Sequence, residues 1–264
     1  MSADKSAYSI LNPTPDRLLR DMTTDRPDTT ESPFTVDAGR VQVETNLFGF
    51  VRSRPDEDGV VTDSYELFNA NLRIGITSDT EMGFVWQSYG IARSRHADPA
   101  ASFRDAGIGG LDVRGKVNLW GNDAFEQPGA TALALLPFLT LPTDDDNGIS
   151  PEHVEGGLLL PLAVNLPRGF GLGINAGVLR LKDDDASGYH TDYVATAALS
   201  YEWSDALGTY YEVATQFGEA DIVVLGTGVT YALSPNVQLD AGVNVGLTHA
   251  ADRINPFVGL STRF

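Results

Sequence analysis

From residue 40 to the end of the chain, apolar and polar side chains alternate with a period of two, the pattern of strands whose faces meet different surroundings. The run Val237-Gln238-Leu239-Asp240-Ala241-Gly242-Val243-Asn244-Val245-Gly246-Leu247-Thr248 sets a wholly apolar face against one of polar residues and glycine. Val41, Val43 and Leu47 oppose Gln42, Glu44 and Asn46 in the same way, and Tyr193, Ala195, Ala197, Leu199, Tyr201 and Trp203 oppose Asp192, Thr196, Ser200 and Glu202. Twelve such segments are predicted, at 40–53, 61–76, 80–93, 108–121, 129–142, 154–166, 168–181, 190–203, 207–217, 222–233, 236–248 and 254–264. Each strand with its connection then has roughly 19 residues, enough for the ~9–11 that cross a bilayer at a tilt plus a turn.

The connections alternate too. Ser78-Asp79, Pro167, Ser204-Asp205 and Ser234-Pro235 are tight, with 122–128 as the exception, whereas 55–59, 94–107, 143–153, 182–189, 218–221 and 249–254 are longer and more charged. Short turns at one rim and longer loops at the other mark an outer-membrane barrel. A soluble sandwich or lipocalin-like barrel shares the alternation, because alternation says only that one face is dry. The composition of the polar face separates them: it carries Gly169, Gly171, Gly173, Gly177, Gly226, Gly228, Gly242 and Gly246, small residues suited to the inside of a tube. Trp86, Trp120, Tyr201, Trp203, Tyr231 and Phe264 fall near strand ends, where a membrane interface favours amphipathic rings. The expected fold is all-β, a transmembrane antiparallel up-and-down β-barrel of about twelve strands. Unpaired backbone groups cost several kcal/mol each in hydrocarbon, so such a sheet closes and encloses a lumen. Twelve strands leave a narrow bore unless something fills it.

Residues 1–39 read differently: polar, punctuated by Pro13, Pro15, Pro27 and Pro33, with one short helix predicted from Asp16 to Met22. They are expected to form a periplasmic arm, inside or beside the lumen of a barrel spanning 40–264, and to be its filler. The alternation assigns to the lumen Glu44, Arg52, Arg73, Glu81, Asp112, Arg114, Lys116, Glu202, Glu212, Asp240 and Arg263. Most read as a structural ladder of buried pairs, since a charge in a confined bore needs a partner. Arg73, Arg114 and Lys116 are the candidates for gripping the arm, which carries Asp25, Arg26, Asp28 and Glu31.

Composition removes several functions. With 36 acidic and 18 basic side chains the net charge is −18, so nucleic acid is not expected as a partner. Without cysteine there are no disulfides or thiolate metal sites. No apolar run approaches the roughly 18 residues of a spanning helix. Asp144-Asp145-Asp146 and Asp183-Asp184-Asp185 lack the spaced glycine and final glutamate of a calcium loop and read as a solvated acidic rim. His96, His153, His190 and His249 lie in or beside loops of that rim without ligand spacing, so no metal or other cofactor is expected. Ser150 with His153, and Ser187 with His190, are the local pairs a lipid-modifying barrel enzyme would use. Neither sits in a nucleophile elbow, so the chain is not expected to be an enzyme.

The stretch Thr24-Asp25-Arg26-Pro27-Asp28-Thr29-Thr30-Glu31-Ser32-Pro33-Phe34-Thr35-Val36, followed by Gly39 and Gln42-Val43-Glu44, resembles the outer-membrane transporter family associated with the meta-pathway of phenol degradation. Leu72-Arg73-Ile74-Gly75-Ile76 leading to Glu81, then Asp112-Val113-Arg114-Gly115-Lys116 and Leu139-Thr140-Leu141-Pro142-Thr143, follow in the expected order. The resemblance implies passage of small hydrophobic or aromatic compounds across the bacterial outer membrane. The end, Gly259-Leu260-Ser261-Thr262-Arg263-Phe264, looks like the terminal signal read by the barrel-assembly machinery, with Phe264 as the final aromatic. Expected partners are therefore outer-membrane lipid and lipopolysaccharide, the assembly machinery and a small-molecule cargo. Met1-Ser2-Ala3-Asp4-Lys5 lacks the basic-then-apolar run of a secretion signal, so that destination requires a leader already removed. The alternatives are a structural or surface-binding barrel with a sealed lumen and a barrel enzyme acting on lipids.

Overall fold

The structure, a computed structural model, describes residues 4–56, 58–96, 102–144, 147–183 and 188–264. Thirteen strands follow one another: β1 (Val41–Arg52), β2 (Val61–Gly75), β3 (Thr80–Arg95), β4 (Phe103–Gly107), β5 (Leu111–Trp120), β6 (Thr131–Leu141), β7 (Glu155–Asn165), β8 (Phe170–Lys182), β9 (Tyr189–Glu202), β10 (Leu207–Phe217), β11 (Ile222–Ser234), β12 (Val237–Gly246) and β13 (Asn255–Arg263). Sequential strands pair antiparallel, except that β4 and β5 both pair with β3, and β1 pairs with both β2 and β13, so the sheet closes into a barrel. At the seam Gln42 lies opposite Arg263, and the Phe264 N–H donates to the Val41 carbonyl at 2.8 Å.

The thirteenth strand corrects the reading of 94–107 as a loop. β4 forms within the stretch read as a loop and runs opposite Ser94 to Gly90, while β5 runs opposite Trp86 to Thr80 on the same edge of β3. They are two halves of one stave, interrupted at Gly109 and Gly110, so twelve staves close the wall. Gly109 donates to the Gln87 carbonyl, and a Cβ there would lie 2.6 Å from that of Gln87. The break is thus a close crossing of two backbones, which only glycine permits.

The burial pattern is inverted relative to a soluble protein. Leu158, Leu160, Ile174, Val178, Leu199, Val213, Leu225, Val229, Leu239, Val245 and Val258 all face outward and are exposed, whereas Gln42, Glu44, Arg73, Glu81, Lys116, Asn175, Glu212 and Asp240 are buried. Covering that outer surface with acyl chains and enclosing the charges follows from the alternation. Trp120, Trp203, Tyr231 and Phe264 are exposed near the short-turn rim, where the Tyr201 ring packs between Phe170 and Trp203 at 4.6 and 4.8 Å.

Two expectations fail locally. The pairing registers skip Leu47, Phe68 and Ser88 in three adjacent strands, and Phe68 has φ 51°. This row of bulges reverses the alternation beyond it. Arg52, expected in the lumen, therefore shares a face with exposed Phe48 and binds Asp63 at 2.6 Å. The helix expected over 16–22 is a single 3-10 turn, Asp16–Leu18, after which Leu19 is extended. A helix this short does not recover its nucleation cost, and the chain instead gives its backbone groups to the barrel wall.

Candidate functional site: the lumen and the segment across it

Residues 20–37 run against the inward faces of the strands. Arg73, 1% exposed at the lumen face of β2, is the centre of the contact. Its guanidinium donates to Glu44 of β1 at 2.7 Å and to both oxygens of Glu81 of β3 at 2.9 and 3.0 Å. The same group reaches the Thr23 and Phe34 carbonyls at 3.2 and 2.8 Å, and Asp25 lies 3.2 Å from its Nε. Lys116 of β5 grips both oxygens of Asp25 at 2.6 and 2.8 Å. The arrangement is one network, two buried cations against three buried carboxylates, with arm backbone filling the remaining hydrogen-bonding positions. Arginine suits its centre because its planar fork serves several acceptors at once.

Farther along, the segment crosses to the opposite wall. Arg26 binds Asp240 of β12 at 2.7 Å and Asn46 of β1 at 3.0 Å, and lies 5.6 Å from the Phe257 ring centroid. The Thr29 N–H donates to Glu212 of β10 at 3.0 Å, and the Thr30 hydroxyl bonds both Glu212 and Thr196 of β9. Asn175 of β8 takes the Glu31 N–H at 2.7 Å and returns its amide to the Glu31 carbonyl at 3.0 Å, as a neighbouring strand would. The Glu31 carboxylate pairs with Arg114 at 2.7 Å. The chain then comes back to β3 and β5, where Glu81 accepts the Val36 N–H at 2.7 Å and Asn118 donates to the Pro33 carbonyl at 2.9 Å. Two glycines make room: a Cβ at Gly75 would lie 2.1 Å from the Asp37 carbonyl oxygen, and one at Gly259 would meet the Arg26 guanidinium at 2.2 Å.

The structure thus brings Glu44, Arg73, Glu81, Arg114, Lys116, Glu212 and Asp240 against the segment, and Arg263 to the Arg20 carbonyl at 2.7 Å. Asp112 joins only through Arg114, at 2.8 Å. Glu202 borders a cavity at the short-turn end and forms no ion pair among the described residues. Asp28 likewise forms no ion pair among the described residues; burial and the Glu212 carboxylate push its carboxyl well above the usual carboxylate range.

Two cavities flank the crossing. One of about 310 Å³ opens toward the short turns, between Thr30, Phe34 and Phe125 on one side and Ala198, Ser200 and Tyr210 on the other. The second, about 550 Å³, faces the long loops, with Thr29 and Asn175 at its floor and Leu159, Leu179, Val194, Ile222 and Val224 on its walls. Loop 247–254 folds over it: Gly246 donates to the Asp252 carbonyl at 3.0 Å, and Ala250 and Ala251 line the space. Glu66 and Asp252 also line this cavity and were not among the sequence candidates. The bulge row turns Glu66 inward, and a loop residue such as Asp252 carries no periodic signal at all. A third cavity, about 620 Å³, lies at the wall where Pro137 interrupts the β5–β6 ladder, between outward Met82, Leu139 and Val178 and inward Arg114 and Phe138.

The rim features stay apart from this site. Asp145, Asp146, Asp184, Asp185 and Ser187 lie outside the described residues. His190 contacts Asp183 at 2.9 Å and Glu219 at 3.2 Å. Ser150 accepts the Thr143 N–H at 2.9 Å and donates to the Pro151 carbonyl at 3.2 Å, turning its hydroxyl to its own loop.

The family model described as "Putative MetA-pathway of phenol degradation" matches residues 24–264. Among solved structures, the chain is similar to an outer membrane channel from Pseudomonas putida F1, with TM-score 0.67 and 12% identity over 92% of this chain and 100% of that one. The transport unit of the autotransporter AIDA-I from Escherichia coli follows at TM-score 0.56 and 10% identity, over 92% and 93% of the two chains. The β domain of the Bordetella autotransporter BrkA gives 0.52 and 15%, over 85% and 99%. No curated protein matches the sequence. At these identities the structural likeness speaks for the barrel fold.

Proposed function

Because the chain belongs to the phenol-degradation MetA-pathway family, we propose that it is an outer-membrane channel for small hydrophobic or aromatic compounds, its lumen partly plugged by the N-terminal arm. The carrying observation is the crossing at Thr29–Thr30–Glu31, bonded to Glu212, Thr196 and Asn175 with a cavity on either side. Apolar side chains face inward at the outer cavity, which suits an apolar solute: removing apolar surface from water is worth roughly 25 cal/mol per Å². Solute then passes by displacement of the arm, or sideways through the wall near Pro137, where the ladder is already interrupted. In this reading the short-turn rim faces the periplasm, and residues 1–39 form a unit distinct from barrel 40–264. The serines and histidines of the rim have no catalytic part.

Bonds to charged groups contribute about 1.5–3 kcal/mol each, so the arm is firmly held at rest. The absence of native cysteine makes a direct test clean. Thr30→Cys/Thr196→Cys places two thiols where the hydroxyls now bond at 2.8 Å. Oxidation is expected to hold single-channel conductance at its lowest level, reduction to restore it, and deletion of residues 1–39 to raise it above the parent. Equal conductance in all four states sinks the plug. A barrel that never conducts, with or without the arm, is a sealed structural barrel instead.

A further inference from the structure

The outer cavity has a chemistry that hydrophobic cargo alone does not explain. Two carboxylates line it, Glu66 and Asp252, and its lining includes no lysine, arginine or histidine. Both line the same cavity, and neither forms an ion pair among the described residues. Glu66 receives only a long bond, 3.5 Å, from the Asn46 amide. Arg26, which also acts on Glu66, is already held by Asp240 and Asn46. On the same wall the Asn244 Oδ1 is buried without a donor. The unmet groups are therefore all acceptors, two of them anionic, in a partly enclosed space with Leu179, Val194 and Val224 opposite. Glu66 is half-buried within the cavity and Asp252 is exposed at its loop side, and no side chain of the lining carries the positive charge that would balance them.

We propose that this cavity is a binding site for small amphiphiles that carry a protonated amine on an apolar body. The ammonium sits between Glu66 and Asp252, with N–H groups available to Asn244, while the body lies against Leu179, Val194 and Val224. The volume, about 550 Å³, is that of an ordinary small-ligand pocket. The proposal rests on the channel reading and narrows it from apolar compounds in general to cationic ones. The overall charge of −18 acts in the same direction, concentrating cations at the mouth.

The probe is 2-phenylethylammonium, compared with neutral 2-phenylethanol and anionic phenylacetate. Each is titrated at neutral pH onto the purified full chain in detergent by calorimetry, and applied to single channels in planar bilayers. The ammonium compound is expected to bind about tenfold or more tightly than the alcohol, with phenylacetate weakest. Glu66→Gln with Asp252→Asn should bring the ammonium compound down to the level of the alcohol while leaving alcohol binding intact, which also shows that the variant is folded. Equal binding of amine and alcohol by a protein that conducts overturns the proposal and leaves the channel reading standing. Preference for the amine that survives in the double variant overturns the assigned site. A protein that conducts in no form and binds none of the three overturns the channel reading itself.

Discussion

Two clusters inside the lumen are built from the same residue types and end in opposite electrostatic states. In the cluster at β1, β2, β3 and β5, Arg73 and Lys116 bind Glu44, Glu81 and Asp25, and arm backbone takes up what is left, while Asp28 and Glu202, farther along at the short-turn cavity, form no ion pair among the described residues. Toward the long loops, Glu66 and Asp252 stand without cations beside leucine and valine. A matched network resists opening, because breaking any member strands buried charge. An unmatched one is a receptor surface, because a ligand can complete it. On the proposed reading, the anchor and the solute contact lie on opposite sides of the Thr29–Glu31 crossing.

The largest effect that would break this comparison is predicted at its anchor. Arg73→Ala leaves three buried carboxylates with Lys116 as their cation and should cost about 3–5 kcal/mol, with Arg73→Lys intermediate; urea unfolding from detergent micelles reads it. An Arg73→Ala barrel as stable as the parent would mean that the network is not what holds the segment. Next, Leu160→Lys, on the outward face, should cost about 2–4 kcal/mol if that face meets the bilayer midplane. Its neighbour Leu159→Lys points into the outer cavity that Glu66 also lines and should cost clearly less. Equal costs for the two would abolish the assignment of faces. Third, Glu212→Ala removes the acceptor for Thr29 and Thr30 and should weaken the crossing by about 1.5–3 kcal/mol. Faster maleimide labelling of a Thr30→Cys reporter is the expected sign, and unchanged labelling would move the hold elsewhere. The smallest effect belongs to the receptor half. Leu179→Ala enlarges an existing cavity instead of opening a packed core, so stability should fall by less than about 1 kcal/mol. Affinity for an apolar solute should drop with it, and a loss comparable to that of Arg73→Ala would show the outer half to be structural as well.

Much of this was legible along the chain because a membrane barrel writes its faces into every second residue. All twelve expected segments coincide with a strand to within a few residues, and Glu44, Arg73, Glu81, Lys116, Glu212 and Asp240 face inward as the alternation requires. The exceptions have physical causes. The stretch 94–107, read as a loop, holds the extra strand β4, separated from β5 because Gly109 approaches Gln87 too closely for a continuous ladder. Arg52 and Glu66 exchanged their expected faces because a bulge costs one residue and leaves no mark in composition.

Period-two patterning, an even number of segments, alternately short and long connections and the absence of any other way to satisfy backbone groups in hydrocarbon were enough to specify a closed barrel and the sign of its interior. Which interior charge meets which, and whether residues 20–37 run along the wall or across the opening, was decided only by the tertiary structure. Those contacts join residues such as Arg26 and Asp240, far apart in the chain, and depend on strand register, bulge position and the missing Cβ of Gly75 and Gly259. Local propensity carries no information about a distance set by closing a cylinder.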